Sequence, residues 1–207
     1  MTIPYGPILL VEDIPNVREL LEVQLKFKGY QVTSARNGEE ALARVAQEHP
    51  AVVISDILMP GIDGFAFAHH LRKNPKNAGI PIIFLSATYV APEDMKFGMA
   101  LGAYRYLSKP IDLDELLMTL GEILTGTPHK LPGPLSDVEF YRGYRERLEV
   151  KLAQKIQQVT RAERLVNSVP PEQRDTFQAL LDESRAEREG IEAELRHIYE
   201  IQQSLGL

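Results

Sequence analysis

Two short apolar runs, Ile8-Leu9-Leu10-Val11 and Ala51-Val52-Val53-Ile54-Ser55, are each cut off by acid, the first by Glu12-Asp13 and the second by Asp56. Runs that are apolar throughout, rather than at alternate positions, describe strands buried on both faces, as in a parallel sheet covered by helices. Such sheets place their ligands at the carboxyl ends of the strands. The three carboxylates are therefore expected to converge in one cleft. At an effective dielectric near 20, two unit charges about 4 Å apart repel by about 4 kcal/mol, so an ionised cluster needs a bound cation or a nearby lysine. That requirement points to a magnesium site.

The rest of the first part of the chain keeps the same beat. After Ile8 to Val11, residues Asn16 to Lys28 carry Val17, Leu20, Leu21 and Leu25 at helical spacing, and Gly29 supplies the stop. Gln31 to Ala35 reads as a strand, Asn37-Gly38 as a turn, Glu39 to Gln47 as a helix, and the run ending at Asp56 as a strand. Phe65 to Arg72, Glu93 to Ala100 and Asp112 to Leu124 read as helices, with Ile82 to Ser86 and Tyr104 to Leu107 extended between them. Connections of this length join parallel strands by right-handed crossovers, so the expected fold is α/β, a doubly wound, five-stranded parallel sheet.

Composition excludes several classes. With 207 residues, 44% of them hydrophobic, the chain can bury one ordinary core and has length to spare. A net charge of −6 argues against direct nucleic-acid binding, which usually shows a basic excess. There is no cysteine for disulfides or thiolate metal sites, and the opening Met-Thr-Ile-Pro-Tyr-Gly lacks the blocks of a signal peptide. No apolar stretch approaches the roughly 18 residues of a membrane span. A cytoplasmic protein without a membrane role is expected.

Four motifs, each at a strand end and in this order, carry a family resemblance: Glu12-Asp13, Asp56-Ile57-Leu58-Met59-Pro60-Gly61-Ile62-Asp63-Gly64, Leu85-Ser86-Ala87, and Tyr106-Leu107-Ser108-Lys109-Pro110. Together they resemble the receiver domain of bacterial two-component response regulators, over about the first three fifths of the chain. The resemblance implies a flavodoxin-like receiver that takes a phosphoryl group from a histidine kinase or histidine phosphotransfer protein, with Mg²⁺ as cofactor.

The resemblance also implies roles. Asp56 would be the phosphoacceptor, a carboxylate nucleophile that becomes an acyl phosphate. Asp13, Asp56 and the backbone carbonyl of Leu58 would hold Mg²⁺ directly, and Glu12 would act through bound water. Lys109, aimed by Pro110 through a peptide bond that is commonly cis in the family, would pair with phosphoryl oxygens. Ser86 would be the hydroxyl switch, Ala87 would leave room for the phosphoryl group, and Tyr106 would be the aromatic switch. Strand alternation puts Tyr104 on the same face as Tyr106, and the spacing to Lys109 favours the latter. Leu58 departs from the commoner pattern, in which many relatives carry a polar or charged residue.

Beyond Leu124 the chain changes character. The receiver is expected to span residues 1–126, followed by a linker over 127–135 rich in proline and glycine and a helical segment over 136–207. Ser136-Asp137-Val138-Glu139 begins like a capped helix. Tyr141, Tyr144, Leu148, Leu152, Val159, Ala162 and Val166 fall near a coiled-coil period, broken at Lys155 unless Ile156 takes its place. Asn167-Ser168-Val169-Pro170-Pro171 stops this helix. Phe177, Leu181, Ser184, Arg188, Ile191, Leu195, Ile198, Gln202 and Leu205 continue the seam in steps of four and three. The expectation is an all-α helical hairpin, packed on its own receiver or paired with a second copy as a homodimer. His197 lacks a kinase-like motif around it, and His69-His70 reads as solvated helix surface.

The leading functional reading is thus a phosphorylation switch, with no separate catalytic domain. An aspartyl-phosphate hydrolase of the haloacid dehalogenase type would need an acid two residues beyond the nucleophile, where Leu58 stands. A regulatory part of a longer hybrid sensor kinase or effector enzyme is the alternative. No nucleotide-binding glycine motif, cyclase-like motif or helix-turn-helix signature follows the linker.

Overall fold

The computed structural model describes residues 5–86, 92–126, 131–170 and 174–206, and the expected roles of Ala87, most of the linker's first half and Pro171 lie outside them. The chain divides into two compact units, Met1–Leu135 and Ser136–Leu207.

In the first unit, β1 (Ile8–Val11), β2 (Val32–Ala35), β3 (Val52–Asp56), β4 (Ile82–Ser86) and β5 (Ala103–Ser108) alternate with α1 (Pro15–Phe27), α2 (Gly38–Glu48), α3 (Gly64–Lys73), α4 (Pro92–Ala100) and α5 (Leu113–Thr125). All strands are parallel, in the order β2-β1-β3-β4-β5. Every residue of β1, β3 and β4 is buried, as their unbroken apolar runs require. The chain leaves β1 towards one edge of the sheet and returns to build the other edge from β3. The loops after β1 and β3 therefore part company, and the crevice between them is where this sheet can hold a ligand.

Helix starts follow their local chemistry. Asn37, Asp63 and Asp112 each accept a hydrogen bond from backbone N–H groups in the first turn of α2, α3 and α5. Packing overrides the sequence reading at His69, which is buried while His70 is exposed. The physical reason is that α3 has α2 as a neighbour as well as the sheet, so seven of its ten residues are buried rather than one stripe. Arg72, also buried, donates to the carbonyls of Ile80 and Gly102 at 2.7 and 3.0 Å, and burial pushes its guanidinium down to about 10.

The second unit consists of α6 (Asp137–Ser168) and α7 (Arg174–Ser204), packed together as an antiparallel hairpin. Ser136 and Glu139 close a reciprocal capping box at its start. Tyr144, Leu148 and Val159 face Leu181, Ile191, Leu195, Ile198 and Gln202 as the buried seam. Leu205, expected at the end of the seam, is 46% exposed, and two further positions are decided by packing. Phe140 is buried and Tyr141 only partly so, and Lys155 keeps its place in the seam by pairing with Glu187, leaving Ile156 45% exposed. An ion pair across the hairpin satisfies the ammonium while its alkyl stem fills the seam.

Candidate functional site

The crevice at the carboxyl ends of β1 and β3 collects the expected carboxylates. Register pairs Val11 with Ser55, so Glu12 and Asp56, each the next residue along, leave adjacent strands side by side. Glu12 and Asp56 are buried and Asp13 is half-buried, and one ligand atom from each lies within 4.8 Å of the others. Lys109 comes from the end of β5, beyond Ser108. Its Nζ donates to Asp56 Oδ2 at 2.6 Å and to Glu12 Oε2 at 2.7 Å. The Lys109–Pro110 peptide bond is cis.

Backbone groups complete the cradle. Asp56 Oδ1 accepts from the N–H of Ile57 at 2.6 Å and of Leu58 at 3.3 Å, while Ile14 N–H donates to Glu12 Oε1 at 3.3 Å. The Leu58 side chain itself is half exposed. Ser86 is buried at the end of β4, and its carbonyl accepts from the N–H of Lys109 at 2.7 Å. Ser86 thereby lies at the same sheet edge as the acids.

The charges are mutually compensating. Burial opposes ionisation of Lys109, but hydrogen bonds to Asp56 and Glu12 and the charges of both acids outweigh it and hold the ammonium above the ordinary lysine value. For Glu12 burial wins, raising its carboxyl above 4.5 although Lys109 pulls the other way and Asp56 adds to the rise. A carboxyl raised on folding contributes stability that is fully present below its unfolded value and is lost as pH climbs through the folded one. In chelator, the melting temperature of the wild-type chain is therefore expected to fall relative to Glu12→Gln as pH rises from 4.5 towards neutrality. A difference that stays flat with pH would contradict this assignment.

The donor set fits a hard divalent cation. Ligand oxygens about 2.1 Å from an octahedral Mg²⁺ lie at most about 4.2 Å apart, a span that Asp13 and Asp56 reach with little closure, and Glu12 stands at the same spacing to act through water. Oxygen-only coordination is also what magnesium selects.

Tyr106 stands apart from the acids. Its hydroxyl donates to the carbonyl of Asp94 in α4 at 2.9 Å, and its ring lies 5.5 Å from that of Phe84, which in turn meets Phe65 edge-on. Tyr104 is half-buried as well.

Three contributors escaped the sequence reading. Arg18 donates to the carbonyls of Glu12 and Asp13 at 2.7 and 3.3 Å, pinning the acidic turn, and only its place one turn into α1 hinted at that. Gly64 packs so tightly on the strand that a Cβ there would come within 2.9 Å of Ile57 Cα and closer still to the Asp56 carbonyl. Gly98 seats the phenol of Tyr106: a Cβ would fall on Oη, with Cζ 2.7 Å away. Gly98→Ala is expected to destabilise the receiver by roughly 1–3 kcal/mol through overpacking. In a Tyr106→Ala background the same change should cost clearly less, because only the Phe65 ring edge, 3.0 Å from that Cβ, still crowds it and alanine is the better helix former. Equal effects in both backgrounds, measured by urea unfolding, would rule out the seat.

Comparison with known proteins gives a consistent result. The family profile of the response regulator receiver domain matches residues 8–120. Protein PilH of Pseudomonas aeruginosa is 39% identical over 119 residues, which is 58% of this chain and 98% of that protein. Chemotaxis protein CheY4 of Vibrio cholerae, a solved structure, superposes with a TM-score of 0.55 at 35% identity, covering 58% of this chain and 99% of the other. The signal receiver domain of a signal transduction histidine kinase from Syntrophus aciditrophicus gives 0.55 at 34% identity, covering 63% and 98%. Of other curated relatives, whose names point to transcriptional regulation, the chain spans about half the length.

Proposed function

Since this chain belongs to the response regulator receiver family of two-component systems through residues 8–120, we propose that it is a phosphorylation switch in which Asp56 is the phosphoacceptor. The observation that carries this reading is the set of contacts made by Lys109, which ties Asp56 and Glu12 together beside Asp13 in one crevice. An Asp56 carboxylate oxygen attacks the phosphorus of a phosphohistidine in line, the P–N bond breaks, and the imidazole leaves with the electron pair and takes a proton. Asp13, Asp56 and the Leu58 carbonyl would hold Mg²⁺, with Glu12 acting through water. The ion supplies charge neutralisation for the incoming phosphoryl group.

Lys109 neutralises part of the acidic cluster before transfer and can turn to the phosphoryl oxygens after it, so its charge is paired in both states. Ser86, at the end of the neighbouring strand, offers its hydroxyl as a donor to the new acyl phosphate. Movement there frees space along β4, and Tyr106 reads it through Phe84, shifting its hold on α4. The helical unit over 136–207 then transmits the change by self-association. The donor is a histidine kinase or a histidine phosphotransfer protein, and the chain carries no separate catalytic activity. Among the described residues, no helix is long and apolar enough to cross a membrane.

Incubation with acetyl phosphate and Mg²⁺ should add one phosphoryl group, seen by intact mass. Chelation of the metal should reduce the rate by about 100-fold or more, as removal of a principal electrostatic stabiliser does. Equal labelling in chelator would remove the metal from the reading.

A further inference from the structure

The helical unit buries little for its size. Among the described residues, eight apolar side chains are buried in it against thirty in the first unit, too few for a two-helix segment to gain most of its stability from its own seam. It also leaves an apolar feature outside that seam. A groove of about 440 Å³ runs between α6 and α7, walled by Leu152, Ala153, Ile156 and Tyr199 over the buried Leu195. Ile156 stands at its edge, 45% exposed, while Lys155 next to it occupies the seam.

We propose that this groove is the face through which a second copy of the chain docks, each α6 lying along the partner's α7. This rests on the reading above that the helical unit self-associates, and it specifies where. Two features select a second copy as the occupant. First, the two helices carry opposite charge excesses: α6 has seven basic against five acidic side chains, and α7 has four basic against eight acidic. A two-fold axis parallel to the hairpin sets each α6 across from the partner's α7, so both cross-contacts pair a basic-rich helix with an acidic-rich one. Second, the groove's rim is self-complementary. Tyr199 donates to Glu149 at 2.7 Å, which fixes these two residues, and Arg196 one turn before Tyr199, at one level of the hairpin. The same axis preserves level along the helices, so Arg196 of one copy meets Glu149 of the other. A basic or acidic macromolecule would find rim charges of both signs, Glu149, Glu192 and Arg196, and so is disfavoured.

Sedimentation equilibrium of the full chain at micromolar concentration tests this. With beryllofluoride and Mg²⁺ the wild-type chain should be dimeric, and under the same conditions Ile156→Glu should raise the dimer dissociation constant by at least 100-fold with unchanged helicity by circular dichroism. Arg196→Glu should weaken the dimer, and adding Glu149→Arg should restore it, a readout that stands even if Ile156→Glu loses helicity. A dimer indifferent to Ile156→Glu and to both charge changes would overturn this face while leaving self-association standing. A wild-type monomer, with or without beryllofluoride and Mg²⁺, would overturn self-association itself.

Discussion

Asp56→Asn is expected to abolish phosphoryl incorporation from acetyl phosphate, a loss of about 10³-fold or more of the kind seen when a nucleophile is removed. The amide is nearly the same shape, and its oxygen can still accept from the N–H groups of Ile57 and Leu58, which hold Oδ1 at 2.6 and 3.3 Å. What disappears is the anionic oxygen that forms the bond to phosphorus. Lys109 retains Glu12 as a partner at 2.7 Å, and the fold should survive. A folded Asp56→Asn chain that labels as fast as wild type, by intact mass or radiolabel, would sink the assignment of Asp56.

The second large effect is expected from Lys109→Ala. Glu12 is fully buried and Asp56 nearly so, and the ammonium bonded to both is their shared cation. Deleting one member of a buried ionic group leaves uncompensated charge and costs about 3–5 kcal/mol. In chelator at neutral pH the variant should therefore melt well below wild type. Adding Mg²⁺ should recover part of the loss, because a cation that binds the folded chain stabilises it by mass action. Phosphoryl transfer should remain about 100-fold slower even with the metal, since Lys109 is also a donor to the transferred group. A melting temperature equal to wild type in chelator would mean that Lys109 does not hold the cluster.

Much of this was written locally. The strand endings at Glu12, Asp13 and Asp56 are visible because an acid after an unbroken apolar run is conspicuous, and Lys109 because it follows a strand and precedes proline. The packing roles of Gly64 and Gly98 were not legible, since a missing Cβ matters only when another element fills its space, here the Asp56 backbone and the Tyr106 phenol. His69 failed for a related reason. Periodicity reports one apolar face, but a helix flanked by α2 as well as the sheet covers more than that face.

By itself the sequence determined the alternation of strands and helices, the capping of α6 by Ser136 and Glu139, and which residues end β1 to β4, because these depend on neighbours within a turn or two. Tertiary structure alone decided that β1 lies between β2 and β3 and that Lys155 rather than Ile156 enters the helical seam. Those outcomes come from the order of strands and the pairing of helices. Each is settled by the total burial and charge compensation of segments far apart in the chain, which no local pattern can express.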